Sequence, residues 1–215
     1  MNRTATIGAL LEVGVIPIIR TQSAETALQT ARAVRRGGLR LLEVTMTVPG
    51  ALGVVEKLAD EFGDDLLLGA GSVLDAETAR ACMLAGARFI VTPGLNVKTV
   101  EICNRYSVAA LPGALTPTEV ITAWEAGADM VKIFPADNMG GPAYIKALKA
   151  PLPQVLMAPT GGVDLDNMKD FFKAGASAVA VGSSLMNKKA IAEGNYQAIE
   201  ALAKQFLDAA VAARG

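Results

Sequence analysis

The sequence predicts an α/β protein: one domain, residues 1–215, forming a (β/α)8 TIM barrel with an extra N-terminal helix. Three observations carry this prediction. Short, nearly continuous apolar runs alternate with segments of helical spacing, as in a parallel sheet covered on its outer face. Helix-ending glycines recur at Gly38, Gly86, Gly127 and Gly175, spaced 48, 41 and 48 positions apart, and each interval holds two strand–helix units. That makes about eight units in the chain. No nucleotide-binding glycine fingerprint follows the first strand, which favours a closed barrel over an open doubly wound sheet.

Taken in order, the chain opens with a helix of about ten residues, read from its spacing. Val15 to Arg20 is the first strand, an apolar run that ends in a charge. Helical spacing holds from Ser23 to Arg36 and stops at Gly37-Gly38. Leu41 to Met46 is the second strand, and it too encloses a charge, Glu43. A helix runs to Phe62, after which Leu66-Leu67-Leu68 passes into Gly69-Ala70-Gly71-Ser72. Further strands are read at Arg88 to Val91, Val108 to Leu111, Met130 to Phe134, Val155 to Ala158 and Ala178 to Val181. Thr116-Pro117-Thr118-Glu119 sets a cap, a first-turn proline and a capping-box glutamate in sequence, and Asp75 and Asp164 read as two more caps.

Composition narrows the chemistry. With 52% hydrophobic but only 5% aromatic residues, the core must be built mainly from aliphatic side chains. The net charge is −1 with Lys and Arg scattered, so neither a nucleic-acid footprint nor a polybasic membrane patch is expected. No leader pattern or membrane-length apolar run is visible, which predicts a soluble, cytoplasmic protein. Histidine is absent, which removes Ser-His and Cys-His nucleophile pairs and every histidine-ligated metal site. Cys82 and Cys103 lack metal-site spacing and read as reduced, buried side chains. No carboxylate cluster favours a metal, and no cofactor is expected.

The most informative stretch is Met130-Val131-Lys132-Ile133-Phe134-Pro135, a buried strand with a lysine inside it. A desolvated ammonium must pair or lose its proton, and a free amine is a nucleophile toward carbonyl carbon. The plain alternative is a strand lysine that reaches solvent or a carboxylate. Parity links it to other polar residues. Stepping by two groups Arg20 with Ile18 and Ile16, Glu43 with Leu41 and Thr45, and Lys132 with Met130 and Phe134. The same rule groups Thr160 with Ala158, and Ser183 with Val181 and Val179, so all five are predicted to point inward at the carboxyl ends of the strands. Thr45, Ser72 and Thr160 add hydroxyls for hydrogen bonds. Thr160-Gly161-Gly162 and Gly182-Ser183 fall after the seventh and eighth strands, where such barrels hold phosphate through backbone N–H groups; tight turns are the alternative. Gly69-Ala70-Gly71 reads as close packing.

These residues resemble a known family, the class I (Schiff-base) aldolases acting on 2-keto-3-deoxy-6-phosphogluconate (KDPG) and 4-hydroxy-2-oxoglutarate (KHG). The resemblance covers essentially the whole chain. It rests on Leu42-Glu43-Val44-Thr45, Gly69-Ala70-Gly71-Ser72-Val73, Thr92-Pro93-Gly94, Pro112-Gly113, Val131-Lys132-Ile133-Phe134-Pro135, Pro159-Thr160-Gly161-Gly162 and Val181-Gly182-Ser183. It implies that Lys132 forms the imine with the keto carbon and that Glu43 shuttles the proton. It further implies substrate contacts at Thr45, Ser72, Pro93, Phe134 and Thr160, phosphate binding by Gly161, Gly162, Gly182 and Ser183, and a homotrimer. Many members carry a carboxylate-binding arginine where this chain has Thr47; the carboxylate is assigned instead to Arg20. Members acting on the galactonate epimer lack the threonine at position 160, so Thr160 favours the gluconate series. A phosphosugar isomerase or epimerase would share the barrel and its phosphate loops without requiring the lysine, and a non-catalytic phosphate-binding scaffold is the remaining reading.

Overall fold

The computed structural model describes residues 2–215. Helix α1 (Arg3–Val13) leads into β1 (Val15–Ile19), α2 (Ala24–Arg36), β2 (Leu41–Thr45), α3 (Ala51–Phe62) and β3 (Leu67–Gly71). Next come α4 (Ala76–Leu84), β4 (Phe89–Val91), α5 (Val97–Arg105), β5 (Ala109–Leu111), β6 (Gly113–Ala114) and α6 (Pro117–Glu125). The rest is β7 (Val131–Ile133), α7 (Pro142–Lys149), β8 (Met157–Pro159), α8 (Met168–Lys173), β9 (Val179–Val181), α9 (Lys188–Ala192) and α10 (Tyr196–Arg214). The expected alternation holds along the chain. Helix starts follow local chemistry: the side chains of Ser23, Asp75 and Asn96 each accept from the backbone N–H three residues on, and Thr116 and Glu119 form the complete reciprocal box. Asp164 does not cap α8, whose cap position is Asn167. Its carboxylate instead accepts from the N–H groups of Asp166 and Asn167, closing a local turn that delays the helix.

All recorded strand pairings are parallel, in a curled sheet that runs β5-β4-β3-β2-β1-β9 and a second that runs β6-β7-β8. The chain passes from the first to the second across Pro112, which has no N–H to give to a ladder. A parallel bridge, Thr160 to Ala180, joins the far edge of β8 to β9. Strand β8 starts two residues later than the apolar run from Val155 suggests, because Val155 donates its N–H to Leu152 in a turn.

Side chains on the strands sort into two apolar layers. Val15, Ile19, Leu42, Val44, Leu68, Ala70, Val179 and Val181 pack against the helices. Ile16, Ile18, Leu41, Leu67, Phe89, Val91, Leu111, Met130, Ala158, Ala178 and Ala180 form the inner cluster, sealed by Leu10 of α1. Helix α1 is fastened there by Arg3, whose Nε donates to Asp129 Oδ1 at 2.9 Å, while Asp129 Oδ2 accepts from the Ala110 N–H at 2.8 Å. Parity then places Arg20, Glu43, Lys132 and Thr160 on the inner side, as predicted. Ser183 is the exception. Val179 and Val181 belong to the helix-facing layer, so the inward residues of β9 are Ala178 and Ala180, followed by Gly182, and the Ser183 side chain is exposed. No helix among the described residues is long and apolar enough to cross a membrane.

Candidate active site

Lys132 lies in the middle of β7, 7% exposed. Its register partners are Gly113 on β6 and Ala158 on β8, two small residues that leave the lysine stem room inside the sheet's curve. Its Nζ stands 5.2 Å from the centroid of the Phe134 ring. Among the described residues no carboxylate closes a salt bridge with it, which separates Lys132 from an ordinary structural ion pair.

Glu43, in β2, is 1% exposed, and no protein group among the described residues donates to either carboxylate oxygen. Burial pushes its carboxyl above the ordinary value, and the charges of Lys132 and then Arg20 pull the other way. Its proton is therefore held more tightly than an exposed carboxyl would hold it, as suits a group that must both take up and give back a proton. The room it occupies is provided by β3: a Cβ added at Gly71 would lie 2.6 Å from Glu43 Cγ and closer still to the carboxylate.

Arg20 follows β1 at the carboxyl end of the strands and is exposed, with Nη2 3.5 Å from Ser72 Oγ. Thr45 is fully buried; its hydroxyl donates to the Ile19 carbonyl at 3.1 Å and shares a 2.9 Å bond with the Thr47 hydroxyl. Thr45 thus ties the ends of β1 and β2 together beneath Arg20. Thr92 does the same service for the next loop, since its Oγ1 accepts from the Gly113 N–H at 3.0 Å and donates to the Gly94 carbonyl. That brackets Pro93, whose backbone packs so closely on Gly113 that a Cβ there would come within 2.7 Å of Gly94 N. In the sequence Thr92 is visible only as part of Thr92-Pro93-Gly94, because its role depends on two loops that meet in space.

Thr160 continues β8, is 4% exposed, and its hydroxyl lies 3.3 Å from the Ala158 carbonyl. Gly161 and Gly162 follow at φ +97 and +69, conformations that favour glycine. Their loop is tied to the one after β9, because Ser184 Oγ donates to the Val163 carbonyl at 2.6 Å. Gly182 has open space around it. The Asp137 side chain underlies this corner, with Gly162 so near that a Cβ would approach Asp137 Cγ to 2.9 Å. Among the described residues no three acidic or thiol side chains gather as a metal site would require.

The chain's similarity to known proteins agrees with this geometry. A family model described as "KDPG and KHG aldolase" matches residues 7–202. The 2-dehydro-3-deoxy-phosphogluconate aldolase of Treponema pallidum (strain Nichols) is 37% identical over 199 residues, covering 93% of this chain and 94% of the relative. The 2-dehydro-3-deoxy-6-phosphogalactonate aldolase of Escherichia coli (strain K12) is 34% identical over 196 residues, covering 91% and 95%. Among solved structures, KDPG aldolase from Legionella pneumophila, with pyruvate captured as a covalent carbinolamine intermediate, superposes with a TM-score of 0.85 at 31% identity, covering 95% of this chain and 97% of that one. With a buried strand lysine and a buried glutamate on the inner side of a parallel α/β sheet, and a match over nearly the whole length, the assignment follows: the chain belongs to the KDPG and KHG aldolase family.

Proposed function

We propose that this protein is a class I aldolase that reversibly cleaves 2-keto-3-deoxy-6-phosphogluconate to pyruvate and glyceraldehyde 3-phosphate, and also cleaves 4-hydroxy-2-oxoglutarate to pyruvate and glyoxylate. The observation that carries the reading is the lysine of β7, buried without a salt-bridge partner among the described residues and close enough to buried Glu43 for its charge to be felt there. The two sheets, continuous through Pro112 and bridged at Thr160, act as one closed (β/α)8 barrel with the reaction at its carboxyl-end mouth.

In this mechanism the Lys132 amine attacks the C2 ketone carbon, and loss of water gives a protonated imine, an electron sink next to the bond to be broken. Glu43 accepts the C4 hydroxyl proton as the C3–C4 bond breaks. The bonding electrons flow into the imine, the aldehyde leaves, and the enamine takes a proton at C3 before hydrolysis frees pyruvate. Arg20, with Ser72 beside it, holds the carboxylate and so fixes the ketone in attacking geometry. Thr45 supports them from below, and Pro93 and Phe134 line the pyruvate end. The phosphate sits on backbone N–H groups of Gly161, Gly162, Gly182 and Ser183; Ser183 contributes its N–H, its side chain being on the outer parity. The active form is a homotrimer, as in the resembling family.

The gluconate reading is preferred to the galactonate one because Thr160 carries a hydroxyl at the position facing C4. Assays decide both points. Wild-type protein should cleave KDPG with a higher kcat/KM than the galactonate epimer or KHG, and Lys132→Met should abolish cleavage of all three. Cleavage that survives in Lys132→Met would refute the imine mechanism and leave an isomerase or epimerase reading on the same fold.

A further inference from the structure

The Glu43 carboxylate lacks a protein hydrogen-bond donor among the described residues, yet a proton shuttle needs a fixed direction. What restrains it is shape. In the β2–β3 ladder Glu43 is opposite Gly69 and Thr45 is opposite Gly71, so the glutamate side chain leans one step along β3 and lies over the bare backbone of Gly71. Gly71 has no left-handed backbone angle, so its lack of a side chain is not explained by conformation. Gly69 serves a different neighbour: a Cβ there would strike the Phe89 ring rather than Glu43.

We propose that Gly71 is a positioning residue for the reaction: its missing side chain forms the recess that holds the Glu43 carboxylate, oriented by packing while its oxygens stay free to exchange protons with substrate or water. The inference rests on the proposed role of Glu43. A methyl group at 71 would push the carboxylate away by more than about an ångström, a displacement that can cost on the order of 100-fold in rate.

The test is a cycle of Gly71→Ala and Glu43→Ala, read by steady-state kinetics and thermal unfolding. Gly71→Ala alone should lower kcat about 100-fold with little change in KM and should lower the Tm. In the Glu43→Ala background the same substitution should lower neither kcat nor Tm further, because the atoms it would strike are gone. A Gly71→Ala protein of wild-type kcat, or one whose kcat loss is the same with and without Glu43, would overturn the proposal. Should the single variant fail to fold, the double variant must still fold, and its failure would overturn it equally. Wild-type kcat in Glu43→Ala alone is a different result, which removes the proton-shuttle reading itself.

Discussion

Glu43 sets function against stability in a single side chain. Burial raises its carboxyl above the ordinary range, so the folded state holds that proton more tightly than the unfolded chain does. The resulting stabilisation is complete below the ordinary carboxylate range and is lost as pH rises through the raised value; above it, the ionised group opposes folding. Glu43→Gln should therefore have a higher Tm than wild type at alkaline pH, with the difference vanishing in acid, each kcal/mol appearing as about 2–4 °C in a chain of this size. The same variant should lose the acid limb of the kcat/KM profile, which in wild type lies above the usual carboxylate range. Thermal unfolding and kinetics across a pH series check both, and a Tm difference independent of pH would contradict the burial argument. Lys132 and Glu43 were legible in the sequence because a charge inside an apolar run is conspicuous there. Gly71 was legible only as packing, since the atoms it accommodates belong to another strand.

At the scale of elements, the proposed function gives phosphate recognition to the loops after β8 and β9 and carbon–carbon chemistry to Lys132 and Glu43. Gly162→Ala would force φ +69 on a residue with a side chain and drive its methyl toward Asp137, at a cost of about 1–3 kcal/mol. The expected outcome is a rise in KM of at least about 10-fold for the phosphorylated substrate, with imine formation from pyruvate, which has no phosphate, unchanged. Equal loss for both would show that the loop supports Lys132 rather than phosphate. Arg20→Met should act the other way, weakening pyruvate as well, since the carboxylate is common to both ligands. Helix starts were readable from capping chemistry at Asp75 and at Thr116 with Glu119. The orientation of β9 was not, because its alternating valines and alanines are apolar on both faces; the bulkier valines face the helices and the alanines fit the narrower interior. That is why Ser183 was expected inside and is found exposed.

For the molecule as a whole, the repeat of strand and helix was legible because a parallel sheet covered on one side demands it. The handover between sheets at Pro112 and the bridge at Thr160 were not, since they depend on which edges meet. Helix α1 closes the amino-terminal end, and the Arg214 guanidinium near the other terminus binds the Leu11, Glu12 and Val13 carbonyls, so the two ends of the chain brace one wall. In the proposed function Lys132 meets substrate at the opposite face, by the carboxyl ends of the strands. The central claim is covalent, and reduction by borohydride in the presence of pyruvate tests it most directly. Peptide mass analysis should find one irreversible pyruvate-derived adduct, on the peptide bearing Lys132 and absent from Lys132→Met; no adduct, or an adduct on another lysine, would contradict the account.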